Sequence, residues 1–330
     1  MIRSRLTGAL VALLFAVSPA AAQDGNADFA RWRDALRVEA LADGISPATF
    51  DAAFDGVAPI PRIIELDRYQ PERTKTFAEY RKGSVSDTRV ARGRQMLAEN
   101  RALLEKIGRQ FGVQPRFIVA LWGLETNFGT ITGGFPVIAA LATLAYDDRR
   151  PEFFRRELLL ALRILEEGHI RPSEMKGSWA GAMGQAQFMP SSFMRYARDQ
   201  DGNGHKDIWG TRADVFASAA NYLSTVGWRD DLTWGREVRL PDGFDMALAS
   251  ASARGPFVKK PLGEWQALGV RRADGTELPG RDVAGAIVLP DGPGGEAYLV
   301  YENYHALLDW NRSLFFATSI GLLSDRIAYP

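Results

Sequence analysis

The sequence predicts a mainly helical, α+β protein in which a large helical body carries one small extended lobe. From Asn26 to about Val226, apolar residues recur at three- and four-residue spacing between identifiable caps and prolines. From Pro241 to Gly295 the composition becomes rich in Gly and Pro, with short β-prone pieces such as Ala286-Ile-Val-Leu289 and no long helical period. After about Tyr301 a helical stripe returns through Leu307, Trp310, Leu314, Ala317 and Leu322.

In chain order, residues 1–22 read as a secretory signal: Arg3 and Arg5, an apolar run from Ala9 to Val17, then Ala20-Ala21-Ala22 ahead of Gln23. The run is too short to span a bilayer, and no later stretch reaches the required length of about 20 apolar residues. The expected mature chain is exported and soluble. Processing removes Arg3 and Arg5, leaving 38 basic against 40 acidic residues and a formal charge of −2, with no global basic field to argue for nucleic acid. The absence of cysteine excludes a disulfide framework, a thiol nucleophile, a zinc-thiolate site and a lipid-modified Cys after the signal, so membrane anchoring by that route is not expected.

Residues 23–110 form an N-terminal helical region expected to pack on the core. Within it, Ser46-Pro47 supplies a cap and a first-turn proline, and just beyond it Gly112 ends a long run that includes Met96, Leu103, Leu104 and Ile107. Residues 111–240 form the expected catalytic core. In the segment from Pro151 to His169, Leu158, Ala161, Leu162 and Leu165 make the apolar stripe, while Arg155, Arg156, Glu157, Glu166 and Glu167 read as a solvated face with i,i+4 pairs. Residues 241–300 form the small extended lobe, and residues 301–330 a C-terminal helix returning to the core.

Glu125 is the candidate acid. On the helix opened by Pro115, Ile118, Leu121, Trp122 and Glu125 fall at i, i+3, i+4 and i+7, so the carboxyl occupies the stripe that should be buried. With Gly129 as a C-terminal stop, it lies in the last turn, where the helix dipole and desolvation both disfavour ionisation. That is how a carboxylic acid stays protonated near neutral pH and serves as a general acid. A Glu directed to solvent or paired with an Arg is the alternative this segment leaves open.

Other chemistries lack their signatures. The three histidines, His169, His205 and His305, are scattered, and no His-Glu-x-x-His occurs. No Gly-x-Ser-x-Gly elbow, dinucleotide fingerprint or P-loop is present. Two segments stand out instead. Ser178 to Pro190 strings small residues between Ser178 and Gln187, a composition suited either to close backbone approach to a sugar or to a tight helix crossing. Trp122, Trp179, Phe188 and Tyr222 are candidates for stacking on pyranose faces, with core packing as the alternative for each. Asp199-Gln-Asp-Gly-Asn-Gly-His205 fits the start of an EF-hand loop, with Asp199, Asp201 and Asn203 at positions 1, 3 and 5 and a carbonyl expected from His205. Calcium is the ion implied, and a solvated Asx-turn loop is the alternative. Position 12 is Gly210, so the closing carboxylate must come from elsewhere, with Asp214 the candidate.

Ala120-Leu-Trp-Gly-Leu-Glu125-Thr-Asn-Phe-Gly129, Phe135 to Tyr146, Ala180 to Ser192 and Asn221-Tyr222 together resemble the lytic murein transglycosylase B family. Asp67-Arg-Tyr-Gln-Pro-Glu72, Asn303-Tyr304 and Trp310-Asn-Arg-Ser313 extend the resemblance over nearly the whole mature chain. It implies a lysozyme-like helical core with extra lobes, an EF-hand-type calcium site with a structural ion, and no organic cofactor. The implied substrate is the glycan strand of peptidoglycan, cleaved between N-acetylmuramic acid and N-acetylglucosamine without net hydrolysis, with Glu125 as single acid/base and a 1,6-anhydro product. Ser178, Gln187, Tyr222 and Asn311 align with residues of the family's groove, implying positioning and hydrogen bonding. The cell-wall synthesis or division machinery supplies the candidate protein partners. The chain departs from the family pattern at Phe316, where members commonly carry a Tyr whose hydroxyl reaches the groove; at Asp214, which lies beyond the standard loop; and in lacking the lipid-acceptor Cys. A hydrolytic muramidase and a non-catalytic glycan-binding or scaffold protein are the competing functions.

Overall fold

The computed structural model describes residues 19–69 and 75–328, with side chains from residue 27. The signal assigned to residues 1–22 therefore lies outside the residues whose side chains are described, as do Gln70 to Glu72 of the early phrase. Fourteen helices and eight strands are present among the described residues, the α+β composition the sequence predicts.

The first helices are α1 (Pro19–Ala42), α2 (Pro47–Ala53), α3 (Pro61–Arg68) and α4 (Phe77–Ser84). Ser46 caps α2 by accepting from the Thr49 N–H at 3.2 Å, with Pro47 in the first turn. Thr76 and Glu79 form a capping box on α4. The buried carboxylate of Asp67, at the end of α3, is held by Arg149 and Arg150, each at 2.6 Å, which gives the first residue of the early phrase a structural role.

The run expected to end at Gly112 is two helices, α5 (Asp87–Glu99) and α6 (Arg101–Phe111). Asn100 marks the break: its backbone leaves the helical region (φ −107°, ψ 15°), and its side-chain amide donates to the Met96 carbonyl at 2.8 Å beside its own backbone N–H at 3.1 Å. Gly112 does end α6, in the left-handed conformation.

The centre of the body is α7 (Pro115–Thr126), which packs against α5, α6 and the helices Arg212–Thr225 and Leu314–Ala328. After the two-residue β1 (Phe135–Pro136) come α8 (Val137–Tyr146), nearly all buried, and α9 (Pro151–Glu166), against which it lies. The expected solvated face of α9 is only partly solvated. Glu157 is buried and accepts from the Ser191 N–H at 2.9 Å, and Glu166 accepts from Ser46 N at 3.0 Å. Both carboxylates satisfy N–H groups at the starts of other helices. Next come β2 (Lys176–Gly177), paired with β1, then α10 (Pro190–Tyr196) and α11 (Arg212–Thr225). Ser191 does not cap α10 with its side chain; Glu157 serves that end instead.

The sheet of the lobe begins before the compositional change at Pro241. β3 (Gly235–Arg239) is followed by β4 (Ala249–Ser250), β5 (Lys260–Pro261), α12 (Leu262–Ala267), β6 (Arg271–Arg272), β7 (Ala284–Val288) and β8 (Ala297–Val300). The strand order is β4-β7-β8-β3-β6, with β5 on β7. Period-two alternation gives the sheet two buried faces. Ala286, Val288, Tyr298 and Val300 join the helical core, while Ile287, Leu289, Leu299 and Val238 pack with Leu262 and Trp265 of the lobe. The lobe is thus rooted in the body by its central strands.

The expected C-terminal helix is also two, α13 (Glu302–Trp310) and α14 (Leu314–Ala328). Asn311 is extended (φ −146°, ψ 116°), and the Ser313 hydroxyl accepts from the Phe316 N–H at 3.3 Å at the start of α14. α14 presses Gly321 against the Trp234 indole so closely that a Cβ there would lie 2.1 Å from Cδ2. Phe316 is buried, so this position faces the core.

Candidate active site

α7 delivers Glu125 one residue before its end. The helix stops at Asn127 (φ 49°), followed by Phe128 (φ 60°) and Gly129 (φ 78°), three consecutive left-handed residues. The stop is therefore Asn127 rather than the expected Gly129. Two non-glycine residues in this region store strain, which the surroundings must over-determine. They do so through Phe128, which packs edge-on to Trp122 at 5.7 Å and fills the space left by the missing side chain of Gly123. At Gly129 both the conformation and the space demand glycine, because a Cβ would lie 2.2 Å from Gln185 Oε1.

Glu125 is half-buried, and its Oε1 accepts a 2.7 Å hydrogen bond from the indole N–H of Trp310. Burial removes water from the carboxyl and pushes its pKa up to about 7, against the opposite pull of the indole bond. Half of such a population is protonated near neutrality, the condition required of a general acid. No other acid lines the small cavity beside it, whose walls come from α7, α11, Trp310, Gln185 and Ala186. A wider concavity of about 710 Å³ lies between α3 and α8 and shares no lining residue with that cavity.

The segment from Ser178 to Pro190 is a series of tight turns, which removes the alternative of a helix crossing. Met183 bridges Gly177 and Phe188, and Ser178 closes a turn with Ala182 through N–H···O at 2.8 Å and through its Oγ, which accepts from Ala182 N at 3.0 Å. Gln187 is left-handed (φ 49°), and its amide donates to the carbonyls of Thr132 at 3.0 Å and Gly184 at 2.8 Å, fixing the loop that follows α7. Tyr222 is buried. Its hydroxyl donates to the Asp309 carbonyl at 2.7 Å and its ring lies 4.7 Å from that of Trp310, so it props Trp310 and does not offer a hydroxyl to the groove. Asn311 is exposed immediately after Trp310. Of the four aromatic candidates, Trp122, Phe188 and Tyr222 are core residues, and only Trp179 keeps a partly open face.

Two side chains that hold the surroundings of Glu125 escaped the sequence reading as site candidates. Trp310 appeared there only as part of a stripe and a motif. Gln185 accepts from Trp122 Nε1 at 2.8 Å and donates to the Trp209 carbonyl at 2.7 Å, while its own carbonyl accepts from Thr126 Oγ1 at 3.0 Å. It thereby clamps the end of α7 to the turn segment and to the loop before α11. An amide among small residues was the available signal, and it pointed equally to Gln187.

The loop from Asp199 to Asp214 gathers three acids. One carboxylate oxygen each from Asp199, Asp201 and Asp214 lies within 4.8 Å of the others. Asp199 accepts from the N–H groups of Gly202 at 2.7 Å and Gly204 at 2.8 Å, and Asn203 Oδ1 accepts from His205 N at 2.8 Å. The His205 ring turns away, its Nδ1 3.0 Å from the Gly168 carbonyl. Asp214, in the first turn of α11, is buried and accepts from Gln200 N and Asp207 N, each at 2.8 Å. Burial raises its pKa, the two N–H bonds lower it, and the charges of Asp201 and Asp199 raise it again. A divalent cation among the three would relieve that repulsion, and an all-oxygen donor set suits a hard ion.

The family described as Transglycosylase SLT domain matches residues 28–325. Membrane-bound lytic murein transglycosylase B of Escherichia coli (strain K12) is 31% identical over 260 residues, covering 76% of this chain and 67% of that protein. SltB3 from Pseudomonas aeruginosa, solved in complex with NAG-anhNAM-pentapeptide, is 46% identical with a TM-score of 0.86, covering 91% of this chain and 79% of that one. The Escherichia coli lytic transglycosylase Slt35, solved in complex with calcium, is 27% identical with a TM-score of 0.70, covering 82% of this chain and 84% of that one. Fold and these matches agree: the chain belongs to the transglycosylase SLT domain family, the lytic murein transglycosylases.

Proposed function

We propose that this protein cleaves the β-1,4 bond between N-acetylmuramic acid and N-acetylglucosamine in peptidoglycan glycan strands, with Glu125 as the single acid/base and 1,6-anhydro-N-acetylmuramic acid as the new end. The observation that carries the proposal is a half-buried carboxyl, raised to about 7 and held by the Trp310 indole, beside a small cavity that no other acid lines among the described residues. A two-carboxylate glycosidase would need a partner about 5 to 9.5 Å away. Protonated Glu125 gives its proton to the glycosidic oxygen as the bond to C1 breaks. The resulting carboxylate takes the proton of the C6 hydroxyl as that oxygen bonds to C1. The proton count closes and no water is consumed. Ser178, Gln187 and Asn311 position the strand or the loops that hold it, and Tyr222 acts through Trp310.

We further propose a structural Ca2+ held by Asp199, Asp201, Asn203, the His205 carbonyl and Asp214. When bound, it supplies charge compensation that fixes the loop on α11, and no step of the reaction passes through it. The proposed organisation is a periplasmic chain with a signal at 1–22, an N-terminal helical region at 23–110, a core at 111–240, a lobe at 241–300 and a returning C-terminal segment at 301–330. The signal-like composition of the first 22 residues supports export. Among the described residues no helix is long and apolar enough to cross a membrane.

The test is to digest purified peptidoglycan with the mature protein and with Glu125→Gln and to weigh the products. Muropeptides lighter by one water, absent with the variant, are expected. Products of full hydrolytic mass would replace the proposal with a muramidase.

A further inference from the structure

We infer that Trp310 is a positioning residue for the proton transfers: its indole N–H reserves Glu125 Oε1 as an acceptor, so that Oε2 alone gives the proton to the glycosidic oxygen and later takes one from the C6 hydroxyl. The inference rests on the reading of Glu125 as the acid/base.

An indole N–H is a donor and never an acceptor. Its 2.7 Å bond to Oε1 is strongest while Oε1 carries no proton, since the carbonyl-type oxygen of a carboxylic acid is a better acceptor than its hydroxyl oxygen, and this favours Oε2 as the protonated oxygen of the neutral acid. Without that bond the two oxygens are equivalent, and a proton can rest on the one that points away from the bond to be broken. The arrangement needs a rigid indole, and three features supply rigidity. Trp310 is flanked by Tyr222 at 4.7 Å and Phe188 at 5.3 Å between ring centroids. The Tyr222 hydroxyl holds the carbonyl of the preceding residue, Asp309. At its other end α13 is tied to the lobe by the Lys259–Glu302 ion pair at 2.8 Å and by His305 packed edge-on to Phe257 at 4.9 Å.

The same bond bears on the acid's strength, because it strengthens when Glu125 ionises. Few charges compete with it. Apart from Glu125 itself, the cavity side chains contributed by α7, by the turn segment and by α11 are apolar, aromatic or amide. Of the titratable groups on the packed elements, Arg212 of α11 lies over the Trp122 ring, 5.5 Å from its centroid. Tyr222 sits behind Trp310 with burial keeping its phenol protonated, and Asp309 is exposed.

The experiment compares wild type, Trp310→Phe and Glu125→Gln in the rate of anhydro-product release across pH, alongside the indole N–H resonance of Trp310 in wild type and Glu125→Gln. In Trp310→Phe the rate at the optimum should fall roughly tenfold or more, and the alkaline limb should move up by about one pH unit as the carboxylate loses its donor. The wild-type resonance should titrate near 7, where the Glu125 pKa falls, and be flat in Glu125→Gln. An unshifted alkaline limb in a folded Trp310→Phe overturns the inference. Should that variant fail to fold, a wild-type resonance that does not titrate overturns it equally. Anhydro product from Glu125→Gln at the wild-type rate would instead overturn the acid/base reading on which it stands, a result separable from the other two.

Discussion

Replacing Glu125 with Gln should abolish turnover and, above neutral pH, make the protein more stable. The carboxyl rises from 4.5 to about 7 on folding, chiefly through loss of water around it. A group with a higher pKa folded than unfolded binds more protons in the folded state between those two values. Stability therefore falls as pH climbs from 4.5 through about 7 and is level beyond. At about 1.36 kcal/mol per pKa unit, the full interval amounts to about 3 kcal/mol at alkaline pH. Gln is isosteric, carries no charge to desolvate, and presents a carbonyl that can still accept from Trp310. Glu125→Gln should therefore gain up to about 3 kcal/mol over wild type at about pH 8, or roughly 5 °C in midpoint, and much less near pH 4.5. Denaturant unfolding of both proteins across that range gives the difference directly. A difference that does not grow with pH, or a variant less stable than wild type at pH 8, would refute the argument that burial is what makes Glu125 a weak acid. Instability purchased at the site of chemistry is a general pattern of enzymes, and here it has a named residue and a pH signature.

Calcium should raise the unfolding midpoint of wild type and chelator should lower it; in Asp214→Ala the response should vanish and stability should fall by about 1–3 kcal/mol, because two buried N–H groups lose their acceptor. Gly321→Ala should destabilise by about 3 kcal/mol or more in denaturant unfolding, since its Cβ would enter the Trp234 ring at 2.1 Å and neither α14 nor a buried indole can move far. Gly129→Ala should lower the rate on glycan strands by roughly tenfold or more with a smaller loss of stability, because the added methyl displaces Gln185, whose amide ties Trp122 to Trp209.

Much of the fold was legible because its signals are local. Ser46-Pro47, Gly112 and Pro115 mark helix ends through backbone constraints that act within a few residues, and they act that way in the structure. The breaks at Asn100 and at Asn311 were not legible. Each interrupts a continuous apolar stripe, and an Asn within such a stripe can equally lie on a solvated helix face. Glu157 was misread for a related reason. Charge on a helix predicts solvent until another element brings an unpaired N–H to it, and the start of α10 does so from 34 residues away.

The sequence by itself determined that Glu125 occupies the buried stripe of a helix near its end, that Asp199, Asp201 and Asn203 share a loop, and that a Gly- and Pro-rich lobe interrupts helices. These are consequences of spacing along one chain. Only the tertiary structure decided that Trp310, 185 residues later, donates to that carboxyl, that Tyr222 props the indole, and that Gln185 and not Gln187 clamps the helix end. A hydrogen bond between distant residues depends on how elements pack, and no local period records which side chain will arrive at the acid.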